Sequence, residues 1–139
     1  MSIRLRNADP ARSSSPYAQT LQIRGHELLV DLGADQGGAD AGPDPHDLYD
    51  AALAACKTLT VLWYARRKQI PLEHIETLIE HDNSQERSGT YRLDAVLRLG
   101  GTLTDAQVQE LESVAAKCPV HKLMTQVTTE ISTRAERLA

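Results

Sequence analysis

The sequence predicts an α+β fold with antiparallel strands, on three observations. Two pairs of segments alternate apolar and polar residues with period two, as half-buried strands do. A long alanine-rich helical segment separates these pairs, and two further helical segments follow the second pair. The resulting order, β-β-α-β-β-α-α-β, indicates an α+β protein. At 139 residues the chain has the length of one ordinary domain, which we place at residues 17–139.

The N-terminal part is predicted to contain a lead-in, a hairpin and a loop. Residues 1–16 are polar, so we expect a flexible lead-in or at most a weak edge strand. Residues 17–32 are predicted to form a β-hairpin around Gly25. Its apolar positions are Leu21, Ile23, Leu28, Val30 and Leu32. The glycine-rich stretch 33–44 has no periodicity and is predicted to be a long loop, of the kind that is often functional or mobile.

The central helix is predicted from residue 45 to about residue 68. Asp44 suits the N-cap, Pro45 the first helical position and Asp47 the first turn. We expect one broad apolar face to pack against a sheet or a second subunit. That face contains Leu48, Ala52, Ala55, Leu59, Leu62 and Trp63. Lys57 and the basic run 66–68 are expected on a solvated flank.

The second half is predicted to contain two strands, two helices and a last strand. The two strands cover residues 73–81 and 90–99. A capping box, in which Thr104 is followed three residues later by Gln107, begins the next helix. Pro119 ends that helix and can begin another. The chain is predicted to close with a strand over residues 126–133.

Composition and charge argue against several classes of function. The formal net charge of −4 disfavours general nucleic-acid binding, which requires a basic surface, and gives no reason to expect a membrane surface as partner. No apolar stretch approaches the roughly 20 residues that span a bilayer, and no secretory signal follows Met1. The glycine-rich loop lacks the Lys-Ser/Thr pair of a phosphate-binding loop, and we expect no cofactor. We predict a cytoplasmic protein, in which cysteines are reduced or transiently oxidised.

The chemistry is expected at the two cysteines, Cys56 and Cys118. If Pro119 begins a helix, Cys118 occupies its N-cap, where the helix dipole favours a thiolate. Cys56 lies about three turns into the central helix, so its activation would require a group from elsewhere, for which an arginine is the best candidate. Two alternatives stay open. Both thiols could be inert and buried, or Cys118 and His121 could bind zinc with help from His46 and Cys56.

Two cysteine motifs carry a family resemblance. The segment Gly42-Pro-Asp-Pro-His-Asp-Leu-Tyr-Asp-Ala-Ala-Leu-Ala-Ala-Cys56-Lys-Thr-Leu-Thr resembles the central-helix signature of the OsmC/Ohr superfamily. The run Cys118-Pro-Val-His-Lys and the segment around Leu97 resemble the OsmC-like branch of that superfamily. The order and spacing agree from about residue 17 to residue 133, so the resemblance covers most of the chain.

The resemblance implies a fold and an activity. The fold would be an α+β, OsmC-like, intertwined homodimer with long central helices packed between antiparallel sheets. The activity would be that of a cysteine-based peroxidase acting on organic hydroperoxides. By the same resemblance, Cys56 would be the attacking thiolate and Cys118 the resolving thiol, and a dithiol reductant would restore the pair. The alternative is a non-catalytic module that binds an apolar small molecule in the dimer groove.

The sequence departs from the hydroperoxidase branch at one position. Relatives in that branch carry a glutamate ten residues before the first cysteine, and this glutamate holds an arginine against the thiolate. His46 stands there in this chain, and we treat it as a candidate catalytic residue. Arg24 is the first candidate for the activating arginine, with Arg12 as the other. The candidates for the substrate site are Leu59, Trp63 and His121, although Trp63 also suits core or dimer packing.

Overall fold

The computed structural model describes residues 1–138 and has an α+β architecture, which confirms the predicted fold class. Its strands are β1 (Ile3–Asn7), β2 (Gln19–Ile23), β3 (His26–Val30), β4 (His74–Asp82) and β5 (Arg92–Gly100). Its α-helices are α1 (Pro45–Arg67), α2 (Asp105–Ala115) and α3 (Pro119–Thr125), and short 3-10 turns occupy Ala34–Gln36 and Glu86–Ser88. The chain divides into two compact units, and the boundary between Ala51 and Ala52 falls inside α1.

The first unit contains a three-stranded antiparallel sheet in the order β1-β2-β3. The predicted hairpin is confirmed, with Leu21 of β2 opposite Leu28 of β3. Within the segment expected to be a flexible lead-in, residues 3–7 form an edge strand, because Leu5 pairs with Leu21 on the open side of β2. The buried apolar side chains of this unit include Ala18, Leu21 and Val30.

Asp31 organises the long loop that follows β3. The residue is 2% exposed, and its carboxylate accepts hydrogen bonds from the Ser15 hydroxyl at 2.7 Å and from three backbone amides. These amides belong to Leu32 (2.8 Å), Ala39 (3.0 Å) and Ala41 (3.2 Å). Burial alone would raise the pKa of Asp31, but the four donors lower it below its usual range. The glycine-rich loop is therefore folded around a buried anion.

The start of α1 agrees with the predicted capping signal. The Asp44 carboxylate accepts from the amide of Asp47 at 2.8 Å, and the Asp47 carboxylate accepts from the amide of Asp44 at 3.0 Å. This reciprocal pair satisfies two backbone donors at the helix start in the manner of a capping box.

The second unit is built on the antiparallel β4–β5 hairpin, in which His74 pairs with Gly100 and Asp82 with Arg92. Its core is formed by α1 and α2 through Val61, Ala65, Leu111 and Ala115. The half-buried apolar residues that pack against this core include Ile75, Leu97 and Leu99. The capping box of α2 is confirmed, since the Thr104 hydroxyl accepts from the Gln107 amide and the Gln107 side chain accepts from the Thr104 amide.

The buried row of α1 differs from the predicted apolar face. Within the second unit this row contains Leu53, Lys57, Val61 and Ala65, each four residues after the last. By contrast, Leu59 is 64% exposed and Trp63 is 62% exposed. The sequence analysis did not identify this buried row, because Lys57 interrupts its apolar pattern. The solvated position predicted for Lys57 is wrong, since this side chain is 6% exposed.

The predicted last strand is also wrong. Residues 126–133 contain no strand, and Val127 and Ile131 are exposed. A strand requires a partner for its backbone groups. In the described part of the chain, the strands pair only within the β1-β2-β3 and β4-β5 sheets. The alternating β-branched residues therefore predicted an extended segment, but no strand among the described residues pairs with it.

None of the helices within residues 1–138 combines the length and the apolar character needed to cross a bilayer.

Candidate functional site

The second unit brings the two cysteines together. Cys56 lies in the middle of α1, and Cys118 lies in the bend between α2 and α3. The side chain of Cys56 lies close enough to Cys118 to raise the pKa of its thiol. Both are free thiols, Cys118 completely buried and Cys56 partly exposed. Cys118 is thus shielded from solvent, whereas the Cys56 residue is partly accessible.

Cys56 receives a backbone hydrogen bond from α3. The amide of Val120, the second residue of α3, donates to Cys56 Sγ at 3.3 Å. The hydroxyl of Thr60, one turn further along α1, lies 4.0 Å from the same sulfur. A donor directed at sulfur stabilises negative charge there. The helix start signal at Pro119 indicated available amides in this region, but only the packing of α3 against α1 directs one of them to Cys56.

Cys118 occupies the predicted N-cap of α3, but it is not the activated thiol that this position suggested. Its side chain makes no capping hydrogen bond. Burial raises the pKa of Cys118, and the contact with Cys56 raises it further. The nearby backbone amide of His121, although it does not form a capping hydrogen bond, and the charge of Lys57 lower the pKa of Cys118 without reversing the result. Cys118 therefore holds its proton in the resting protein at neutral pH.

Lys57 is a site residue that the sequence analysis missed. Its buried Nζ donates to the Ala115 carbonyl at 2.9 Å and lies 3.1 Å from His121 Nδ1. An ammonium can only donate, so a charged Lys57 pairs with the His121 tautomer whose Nδ1 is unprotonated. The recurrence of Leu53, Val61 and Ala65 at four-residue spacing around Lys57 is the sequence signal that could have placed it inside.

Three predicted site residues lie in the first unit, which does not contain the cysteines. Arg24 is exposed at the tip of the β2–β3 hairpin, with a left-handed φ of 52°. Arg12 pairs with Glu27 at 3.1 Å. His46 lies in the first turn of α1. The catalytic roles of Arg24 and His46 stay predictions.

Leu59 and Trp63 line an open depression of about 620 Å³ in the second unit. Its other walls come from α1 and the segment after it, namely Leu62, Ala65, Arg66, Gln69, Ile70 and Leu72. The guanidinium of Arg67 lies 4.9 Å from the centre of the Trp63 ring. His121 is not among the walls of the depression. The predicted substrate residues therefore fall into two groups, one on the surface of α1 and one beside the thiols.

The zinc hypothesis finds no ligand set. Across residues 1–138, the structure has no group of three or more histidine, cysteine, aspartate or glutamate side chains that could hold a metal ion.

The comparison with known families decides the assignment. The family described as OsmC-like protein matches residues 37–133, which is more than half of the chain. This protein belongs to the OsmC-like family. The match includes both cysteine motifs and the whole of α1, α2 and α3. Among curated proteins, none matches the sequence.

Solved structures of OsmC-like proteins share the fold at low sequence identity. An OsmC-like protein from Mycoplasma pneumoniae is 17% identical and superposes with a TM-score of 0.69, covering 91% of this chain and 87% of that one. OhrB of Bacillus subtilis, named an organic hydroperoxide resistance protein, is 20% identical with a TM-score of 0.56, and the match covers 90% of each chain. An organic hydroperoxide resistance protein OsmC from Legionella pneumophila is 17% identical with a TM-score of 0.58, covering 91% of this chain and 90% of that one.

The candidate site of this OsmC-like protein combines two neighbouring thiols with a buried lysine. Cys56 combines solvent access with a backbone donor, and Cys118 stands beside it as a protonated second thiol. Lys57 contributes a buried cation next to the pair.

Proposed function

We propose that this OsmC-like protein is a thiol-dependent peroxidase that reduces organic hydroperoxides through Cys56 and Cys118. The observation that carries the proposal is the asymmetry of the two sulfurs. The Val120 amide donates to Cys56 Sγ, whereas burial raises the pKa of Cys118. Cys56 is therefore the better candidate for the attacking thiolate. The names of two structural neighbours, both organic hydroperoxide resistance proteins, support this substrate class.

The proposed cycle has three steps. The Cys56 thiolate attacks one peroxide oxygen, the O–O bond breaks, and the alcohol leaves after taking up a proton. Cys56 becomes a sulfenic acid. The Cys118 sulfur then attacks Cys56 Sγ, which forms the disulfide and releases water. A dithiol reductant returns both thiols by exchange, and this cycle suits a cytoplasmic location, where reductants keep thiols reduced.

The exposed apolar face of α1 supports a homodimer and a preference for apolar substrates. Leu59, Leu62 and Trp63 are apolar side chains that this chain alone leaves exposed. Covering them with a second copy would remove apolar area from water. A depression of about 620 Å³ beside these residues is large enough for a small organic hydroperoxide.

A single-turnover experiment tests the peroxidase proposal. Reduced protein is mixed with one equivalent of cumene hydroperoxide or hydrogen peroxide, and free thiols are titrated over time. We expect the loss of two thiols, faster with cumene hydroperoxide. Cys118→Ser should lose one thiol and give a sulfenic acid that reacts with dimedone, whereas Cys56→Ser should lose none. Unchanged thiol content in the wild type, or full turnover in Cys56→Ser, would refute the proposal.

A binding module is the second candidate, favoured by the apolar walls of the same depression. In this case the thiols would be inert, and the protein would retain an apolar molecule without changing it. Native mass spectrometry of the purified protein distinguishes the two candidates. A bound small molecule together with unreactive thiols supports the module, and an empty protein with reactive thiols excludes it.

A further inference from the structure

Lys57 is a buried cation with neutral hydrogen-bond partners. Its side chain is 6% exposed, and Nζ bonds to the Ala115 carbonyl and to His121 Nδ1. Neither partner carries negative charge, because a backbone carbonyl is neutral and an imidazole is neutral or positive. Within residues 1–138, no carboxylate forms an ion pair with Lys57. Burying a charge without a counter-charge is unfavourable in free energy, so a buried lysine with only neutral partners is unusual.

The negative charge that Lys57 can stabilise is a thiolate. Its positive charge acts on Cys118, where it opposes the effect of burial on the pKa of the thiol. Two ionisable groups near the start of α3 interact with Lys57. They are His121, whose Nδ1 lies 3.1 Å from Nζ, and Cys118, on whose thiol the charge of Lys57 acts. The contribution of α2 at this point is the neutral carbonyl of Ala115.

Lys57 also holds the backbone that carries Cys118. Ala115 is the last residue of α2, and His121 lies in the first turn of α3, so the two contacts of Nζ flank the bend that contains Cys118. The Lys57 side chain thus contacts one residue before Cys118 and one residue after it in the sequence. Removing it would release the bend and leave two polar groups without their donor.

We propose that Lys57 is the positioning residue of the resolving step, holding Cys118 beside Cys56 and stabilising the charge that develops on the Cys118 sulfur. The proposal rests on the thiol–disulfide cycle proposed above. In this step the Cys118 thiol loses its proton and its sulfur attacks Cys56 Sγ. The Cys56 S–O bond breaks, and the departing hydroxide takes up a proton to become water. The sulfur must become negative in a buried environment before the S–S bond forms, and Lys57 supplies the compensating charge.

The first test measures ionisation and needs no peroxide. In the Cys56→Ser background, the absorbance of the Cys118 thiolate at 240 nm is followed against pH. Lys57→Met should raise the pKa of Cys118 further, so that the thiolate fraction at a given pH falls about tenfold. Lys57→Arg should restore most of the thiolate fraction. Lys122→Met, which removes an exposed lysine from α3, should leave the thiolate fraction unchanged. An unchanged titration in folded Lys57→Met would overturn the proposal.

The second test measures the resolving step. After mixing with one equivalent of cumene hydroperoxide, Cys56 sulfenic acid is trapped with dimedone and the disulfide is quantified by mass spectrometry. Lys57→Met should slow disulfide formation at least tenfold more than it slows the first oxidation. In Cys118→Ser, adding Lys57→Met should have no further effect. Equal disulfide rates in wild type and Lys57→Met would contradict the proposal.

The two tests separate failure of the inference from failure of the peroxidase proposal. If wild-type thiols do not react with peroxide, the proposed function fails, but the Cys118 titration still reports on Lys57. Circular dichroism establishes folding of each variant. If Lys57→Met does not fold, Lys57→Gln retains a donor for the Ala115 carbonyl without the charge, and the same tenfold changes are expected of it.

Discussion

The sulfur of Cys56 accepts a hydrogen bond from the backbone amide of Val120 at 3.3 Å. This contact connects the middle of α1 to the first turn of α3, and it involves no side-chain atom of Val120. The donor is therefore insensitive to the identity of that residue, unless the residue is proline. This property allows the hydrogen bond to be removed without removing a charged group.

Val120→Pro should slow the reaction of Cys56 with cumene hydroperoxide. Proline has no N–H, and the first turn of a helix tolerates it. A hydrogen bond to a charged group contributes about 1.5–3 kcal/mol, so we expect the rate constant to fall roughly tenfold to a hundredfold. Val120→Ala retains the amide and is the matched control. Equal rate constants for the two variants, measured by stopped flow, would show that this donor is unimportant.

Leu59→Glu should disrupt self-association. Leu59 is 64% exposed on the apolar face of α1, where a second copy would bury it, and an unpaired buried carboxylate is strongly unfavourable. Sedimentation velocity at micromolar concentration should show a dimer for the wild type and a monomer of about 15.3 kDa for the variant. Glu112→Lys, an exposed charge reversal on α2, should remain dimeric. A dimeric Leu59→Glu would place the interface elsewhere.

Protonation of Asp31 should destabilise the protein in acid. Burial opposes ionisation of Asp31, but the hydrogen bonds from Ser15 and from three amides lower its pKa in the folded state. The stabilisation is therefore present above the unfolded pKa of about 4 and is lost as the pH falls through the lower folded pKa. Thermal melts between pH 7 and pH 2.5 measure this. The melting temperature of Asp31→Asn should be lower than that of the wild type at pH 7 and should fall less on acidification. The melting temperature of exposed Asp35→Asn should follow that of the wild type.

Gly42→Ala should destabilise the first unit through direct overlap. A Cβ at this position would lie 2.0 Å from the Leu29 carbonyl oxygen, so the backbone must move. Overpacking of this kind costs about 1–3 kcal/mol. Gly25→Ala is the matched control, since nothing lies within 4 Å of its Cβ position. Urea unfolding of the two variants gives the comparison, and equal midpoints would contradict the close approach.

The sequence predicted the elements better than it predicted the site. Local signals placed the helix start at Asp44, the capping box at Thr104 and the N-cap at Cys118, because these depend on neighbouring residues alone. Residue patterns could not show that α3 directs an amide to Cys56, since that depends on how distant segments pack. They also misplaced Lys57, because a charged residue in an apolar row was assumed to lie on the surface. The prediction of the last strand is wrong for a related reason. Alternating residues indicate an extended segment, but they do not show whether a neighbouring strand is available to pair with it.

Trp63 is an intrinsic fluorescence probe of the α1 surface. It is the single tryptophan of the chain, it is 62% exposed, and it lies on the wall of the α1 depression. Whatever covers that wall, whether a second copy or a bound hydroperoxide, will shift its emission to shorter wavelength and shield it from iodide quenching. Association and ligand occupancy can thus be followed in unlabelled protein, with Leu59→Glu separating the two signals.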